Sequence, residues 1–280
     1  MSSIIKNMKT GSITLGPLET QFFAWTQLEN KEQVKTGDFA RVKGLSAKQE
    51  ADLLYNLSSS GIIVKLWRGL YLVPPRIPLG GSWSPSPYLV ISKYMRNLDA
   101  KFQISGPAIF NLYGYSDQVS AWFTVYNNKV SKKLYILQYH LDFVKVIENR
   151  LGDMKERAPY GVKKSEPALI SSAEQTLLDA VYDYKKYGTL PKAYDWIAIT
   201  VRNKKISPEK LVNITIKYGN TMSQKRIGWV LNELEISQRV INRLKKKIPK
   251  TKFLVPLDPK NNVGPINKKW GVIENVNLLS

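Results

Sequence analysis

The chain has 280 residues, 43% of them hydrophobic, with 7 Trp and no Cys, which is ample for packed cores in two domains and excludes disulfide and thiolate chemistry. Its 42 Lys and Arg against 22 Asp and Glu give a net charge of +20 and an isoelectric point near 9.8, which points to a polyanionic partner. No apolar run approaches the roughly 18 residues that span a bilayer, and the polar start lacks a signal peptide's apolar stretch, so a cytoplasmic protein without membrane contact is expected.

Gly16-Pro17 opens a first helix to about Asn30, because proline at the first helical position loses nothing by lacking an N–H. Leu18, Phe22 and Trp25 recur along it at helical spacing. Thr36 is expected to cap a short second helix with Phe39 and Ala40 inward, and Gly44-Leu45 breaks it. Ser46 and Gln49 then stand at capping-box spacing ahead of a third helix that runs to about Ser60, with Gly61 suited to a left-handed C-terminal cap. Two helices about a short glycine-containing turn match a helix-turn-helix.

A helical wheel of residues 46–59 places Ala47, Ala51, Leu53, Leu54 and Leu57 on the inward side. The outward face presents Ser46 at its start, then Lys48, Gln49, Asp52, Tyr55 and Asn56, groups able to reach base edges in a major groove. A solvated amphipathic face is the alternative on the wheel alone. The segment behind it favours DNA: Ile62 to Val73 forms two β-rich runs about Arg68-Gly69, a hairpin placed as the wing of a winged helix-turn-helix. Lys65, Arg68 and Arg76 are expected on the phosphate backbone or in the minor groove, whereas Trp67 and Tyr71 are expected to pack the hairpin.

From Pro74 to Pro87 the chain reads PPRIPLGGSWSPSP, which predicts a linker at 74–87 between a DNA-binding domain at 1–73 and a larger domain at 88–280. Residues 88–98 resume as a helix, and β-rich stretches follow at Ala121–Tyr126 and Leu134–Tyr139. The remainder is mainly helical. Ser172 and Gln175 form a second capping box before Leu177, Leu178 and Val181. Ser207-Pro208 starts a helix with Leu211, Ile214 and Tyr218 inward, and Ile227, Val230, Leu231 and Leu234 mark another. Two short β-like runs, Lys252–Leu257 and Trp270–Ile273, close the chain, so the fold class is α+β.

The charge is unevenly placed. Residues 1–80 carry seven Lys and three Arg against six acids, a net of +4, which leaves +16 on residues 81–280. Within 237–248, Val240, Ile241, Leu244 and Ile248 make an apolar side, while Arg239, Arg243, Lys246 and Lys247, then Lys250, make a basic one without acids. Lys225 and Arg226 add charge near the start of the preceding helix. A solvated face and contact with DNA phosphates are the two readings of these residues.

Catalytic chemistry is poorly supplied. His140 is the lone histidine, in a strand-like run where packing or hydrogen bonding is expected. One histidine and no cysteine exclude a zinc site in practice, and Gly11 to Gly16 is not a phosphate loop. Glu174 and Asp179 are five apart, off a common helix face, and Glu174 suits the first turn of its helix. A protein that is not an enzyme, with no catalytic residues, metal or cofactor, is expected.

TGDFARVKGLSAKQEADLLYNLSSSGIIVKLWRGLYLVP resembles the N-terminal winged helix of the AbiEi antitoxin family, and RGLYLVP in particular is similar to its Arg-Gly-aromatic wing. GPAIFNLYGYSDQ, ISSAEQTLLDA, SQKRIGWVLNELEI and LVPLDPKNNVGPINKKWGVIENV are similar, in order, to blocks of that family's C-terminal domain, so the resemblance spans about residues 15–278. It implies a transcriptional autorepressor on inverted repeats of double-stranded DNA, and an antitoxin of a type IV toxin–antitoxin operon whose toxin is of nucleotidyltransferase type. Direct contact with the toxin and a monomer or DNA-paired dimer are left open by it. A stand-alone winged-helix regulator without a toxin is the alternative. Gln175 stands where that family usually has Arg, so an ion pair made by that Arg is not expected here.

Overall fold

The computed structural model describes residues 15–78, 81–157 and 168–278, which places Gly11 and, within the proline-rich stretch, Leu79 and Gly80 outside the described residues. The chain is mixed α+β and divides into two compact units between Tyr94 and Met95. Among the described residues no helix is long and apolar enough to cross a membrane.

The first unit begins with α1 (Pro17–Leu28), β1 (Gln33–Lys35), α2 (Asp38–Lys43) and α3 (Ala47–Ser59). The strands β2 (Val64–Trp67) and β3 (Leu70–Leu72) follow, and the three strands form an antiparallel sheet in the order β1-β3-β2. Strand β1 is too short to show alternation in the sequence; its pairing with β3, Val34 opposite Tyr71, creates it. Phe22, Phe23, Trp25 and Phe39 pack edge-on and tilted with ring centroids 5.2 to 6.0 Å apart, and Leu53, Leu54 and Leu57 of α3 close the same core.

Two details of this unit differ from the sequence reading. Ala47 and Ala51 are exposed, and the inward position between them is taken by Glu50, 1% exposed. Thr36 does not cap α2: the residue before Asp38 is Gly37 at φ 95°, with no side-chain cap of its own. The unpaired N–H groups there are satisfied by Glu50, whose carboxylate accepts from Gly37 (2.5 Å), Phe39 (3.0 Å) and Ala40 (2.9 Å). A buried carboxylate is costly unless hydrogen-bonded, so Glu50 locks α3 onto the start of α2.

The proline-rich stretch packs back on this unit. The Trp83 N–H donates to the Gly61 carbonyl (2.8 Å), Lys93 pairs with Glu32 (2.8 Å), and Tyr94 meets the Trp67 ring edge-on. The division therefore falls inside α4 (Pro87–Asn97), later than the proline-rich segment that breaks helical patterning.

The second unit holds β4 (Phe102–Ser105), α5 (Pro107–Leu112), β5 (Trp122–Asn127), β6 (Lys132–Ile136), β7 (Tyr139–Lys145), β8 (Met154–Arg157) and β9 (Ala168–Ser171). These strands form one mixed sheet in the order β6-β7-β5-β4-β9-β8. After β9 come α6 (Ala173–Tyr182), α7 (Tyr184–Tyr187), α8 (Lys192–Arg202), α9 (Pro208–Tyr218), α10 (Thr221–Glu233) and α11 (Gln238–Lys245). The short strands β10 (Val255–Pro256), β11 (Ile266–Asn267) and β12 (Val272–Ile273) make a small sheet of order β10-β12-β11. Strands β4 and β9 escape the sequence because they are almost wholly buried and show no alternation, β8 at the sheet's edge is missed as well, and the run Leu134–Tyr139 spans the turn between β6 and β7.

Behind this sheet lies a buried ion pair. Asp179, 0% exposed, accepts from Arg150 Nη2 (2.9 Å), Gln175 Nε2 (2.9 Å) and Ser105 Oγ (2.7 Å). Gln175 therefore stands in the network, and Arg150, from another part of the chain, supplies the positive charge. Ser172 caps α6 by accepting from the Gln175 N–H, but the Gln175 side chain turns to Asp179 instead of closing the expected box. Glu174 is buried and paired with Lys210 (3.2 Å). His140 is sandwiched between the rings of Trp122 (5.5 Å) and Tyr135 (4.7 Å).

Candidate nucleic-acid interface

The capping box at the start of α3 forms as its spacing predicts. Gln49 N–H donates to Ser46 Oγ (3.3 Å), and Ser46 N–H donates to Gln49 Oε1 (2.9 Å). The outward face of α3 then carries Lys48, Asp52 and Tyr55, at i, i+4 and i+7, with Gln49 and Asn56 along one flank and Ala47 and Ala51 along the other. All are exposed, and Tyr55 is 69% exposed, an unusual degree for a tyrosine in a helix middle.

The box also restricts what Gln49 can offer a ligand. Its amide oxygen is occupied by Ser46, so only the amide NH2 is available to a ligand. A bidentate contact to adenine needs both a donor and an acceptor. Gln49 held this way offers donors alone, whereas Asn56, exposed on the same face, carries an amide with a donor and an acceptor.

Behind α3 the β2–β3 hairpin turns at Arg68-Gly69, with Gly69 at φ 78° and its carbonyl accepting from the Thr36 N–H (2.9 Å). Arg68 and Lys65 are exposed, and the Lys65 ammonium lies 5.9 Å from the Tyr71 ring centroid. Trp67 and Tyr71 pack the hairpin, Trp67 against Tyr94 and Tyr71 in the core. Arg76 is exposed beyond the hairpin. Arg41 and Lys43 are two further exposed cations that the sequence reading passed over. They sit in the last turn of α2, where the helix dipole favours positive charge, and the Arg-Val-Lys run before Gly44 is the signal that marks them.

In the second unit the sequence-derived cations divide. Arg239, Arg243, Lys246, Lys247 and Lys250 are exposed along α11 and just after it, over buried Val240, Ile241 and Leu244; Arg243 also donates to Asn213. Lys225 and Arg226, grouped with these cations in the sequence as possible phosphate contacts, are buried rather than exposed on the α11 surface. Arg226 is 2% exposed, donates to the Pro256 carbonyl (3.0 Å) and lies 4.5 Å from the Tyr184 ring centroid. Lys225 is 3% exposed and donates to Thr251 Oγ1 (3.0 Å) and the Phe253 carbonyl (2.7 Å). Both tie the C-terminal segment to α10, a tertiary role that a local charge pattern does not reveal.

No family model matches the chain, and no curated protein matches it. Among solved structures it is similar to the crystal structure of the RV2827C protein from Mycobacterium tuberculosis. The TM-score is 0.61 and the identity 14%, over 95% of this chain and 94% of that one. At that identity the likeness extends to the fold, shared along nearly the whole of both chains.

Proposed function

We propose that this chain is a sequence-specific DNA-binding autorepressor whose first unit is a winged helix-turn-helix. The observation that carries the reading is the exposed face of α3, where Lys48, Gln49, Asp52, Tyr55 and Asn56 stand together on a helix fixed by Glu50. Donors, an acceptor and a cation on one helix are what base edges in a major groove demand. The order α1-β1-α2-α3-β2-β3, with β1 pairing β3, supports the winged reading, with Arg68 and Lys65 as wing contacts to phosphate.

The antitoxin role is proposed from the resemblance to the AbiEi family, with a nucleotidyltransferase-type toxin as the functional counterpart in the cytoplasm. The protein then acts by binding rather than by catalysis. Electrophoretic shifts with DNA from upstream of its own gene test the DNA reading. Lys48→Ala combined with Asn56→Ala leaves the capping box intact and is expected to lose about 1–3 kcal/mol of preference over unrelated duplex. Undiminished preference in the double variant would falsify α3 as the reading helix. Co-expression with the adjacent toxin tests the other half: growth rescue supports the antitoxin role, and its failure with well-folded protein leaves a stand-alone regulator.

A further inference from the structure

Lys225 is unusual among the lysines of the second unit. Its side chain is 3% exposed on α10, its ammonium lies partly buried 4.2 Å from the Phe253 ring centroid, and no carboxylate among the described residues pairs with it. Burial alone shifts its pKa, downward from the usual lysine value. Two of its three donors are used on Thr251 and the Phe253 carbonyl. The backbone at Gly271 comes so close that a Cβ there would lie 2.9 Å from Nζ, at a φ of +65° that itself favours glycine.

This cation lines a groove of about 640 Å³. Around it stand Lys245, Lys246, Lys250 and Lys252 from the end of α11 and the segment behind it, and Lys268 and Lys269 from the turn before Trp270. Seven of the twelve lining residues are lysine and none is acidic. Like charges gathered within a Debye length of about 8 Å repel one another, and a partly buried ammonium without a counter-charge carries a desolvation cost. An arrangement that bears both costs is relieved by an anion.

We propose that this groove is a phosphate site that holds the backbone of nucleic acid without reading its sequence. The proposal deepens the DNA-binding reading and rests on it for the kind of polymer. Lysine supplies compact point charges suited to phosphate, whereas planar carboxylates are best met by the arginine fork, which is absent from the lining. The cations come from three separate segments and bound a space larger than one phosphate. Arg239 and Arg243 extend the exposed charge along α11.

The test uses the full chain and a short duplex of unrelated sequence, followed by fluorescence anisotropy over a range of salt. Lys268→Glu with Lys269→Glu changes two exposed side chains, so folding is expected to be preserved, checked by thermal melting. Affinity is expected to fall on the order of tenfold and the salt dependence to lose about two counterions, near 0.9 per phosphate contact. Lys246→Glu with Lys250→Glu, on the other side of the groove, is expected to repeat the result. Unchanged affinity and slope in both pairs overturn the proposal. Competition by inorganic pyrophosphate or by polyglutamate at the same charge concentration, equal to that by duplex, also overturns it, in favour of free phosphate or an acidic protein. Loss of operator preference belongs to Lys48 and Asn56, so failure of that reading and failure of this one remain distinguishable.

Discussion

The two charged surfaces of this protein are built on opposite plans. The α3 face of the first unit mixes a cation, an acid, a phenol and two amides, all exposed on one regular helix. The groove of the second unit gathers lysines from separate segments around a buried lysine, with no acid among its lining residues. A mixed set can discriminate, because each base pair presents its own order of donors and acceptors. A uniform set attracts every phosphate alike. On the proposed DNA-binding function, the division of net charge, +4 on residues 1–80 and +16 on residues 81–280, assigns readout to the part with little charge and attraction to the part with much.

The buried carboxylates of the two units are also held differently. Glu50 is held by backbone N–H groups at the start of α2, and Asp179 by an arginine and side-chain donors. Burial holds the neighbouring Asp183 carboxyl above the usual carboxylate range, despite its hydrogen bond from Tyr126. The largest effect is expected from Asp179→Ala, which leaves the buried Arg150 only the longer pair to Asp183 (3.7 Å) and costs about 3 kcal/mol, the low end for a broken buried pair. Chemical denaturation measures it, and a loss below about 1 kcal/mol would sink the paired-charge account of the second unit. Glu50→Ala strands buried donors and removes a helix cap, for about 2 kcal/mol. Because it loosens α3 against α2, it is expected to weaken operator preference while leaving the salt dependence of unrelated-duplex binding intact; parallel loss of both would erase the distinction between the surfaces. The smallest effect belongs to Arg68→Ala, which removes one proposed wing contact and is expected to lower the salt slope by about 0.9 and weaken all sequences alike. A change in sequence preference would move Arg68 to the reading side of the comparison.

Much of the first unit was legible because its signals are local. The Ser46–Gln49 box, the proline at the start of α1 and the Arg68-Gly69 turn each act over a few residues, and each formed where its spacing placed it. Glu50 was not legible: among Leu53, Leu54 and Leu57 it reads as an exception to an apolar stripe, and its partners lie in α2. The candidate face of α3 was visible apart from Ala47 and Ala51, which the wheel turned inward and Glu50 displaced. In the second unit the helices α6, α9, α10 and α11 were visible from their stripes and caps and β5 from its β-rich run, but β4, β8 and β9 were not.

The sequence by itself determined the charge and its uneven division, the helices with strong periodicity, and the outward polar residues Lys48, Gln49, Asp52, Tyr55 and Asn56 of α3, because period and composition do not depend on distant parts of the chain. Tertiary structure alone decided which cations are ligands of the protein and which face solvent. Lys225 and Arg226 lie side by side in a basic run, yet both are buried against the segment from Thr251 to Pro256. It also decided that Lys268 and Lys269 stand beside Lys245 and Lys246 in one groove. Electrostatic attraction depends on distance in space, and more than twenty residues of chain separate those two pairs.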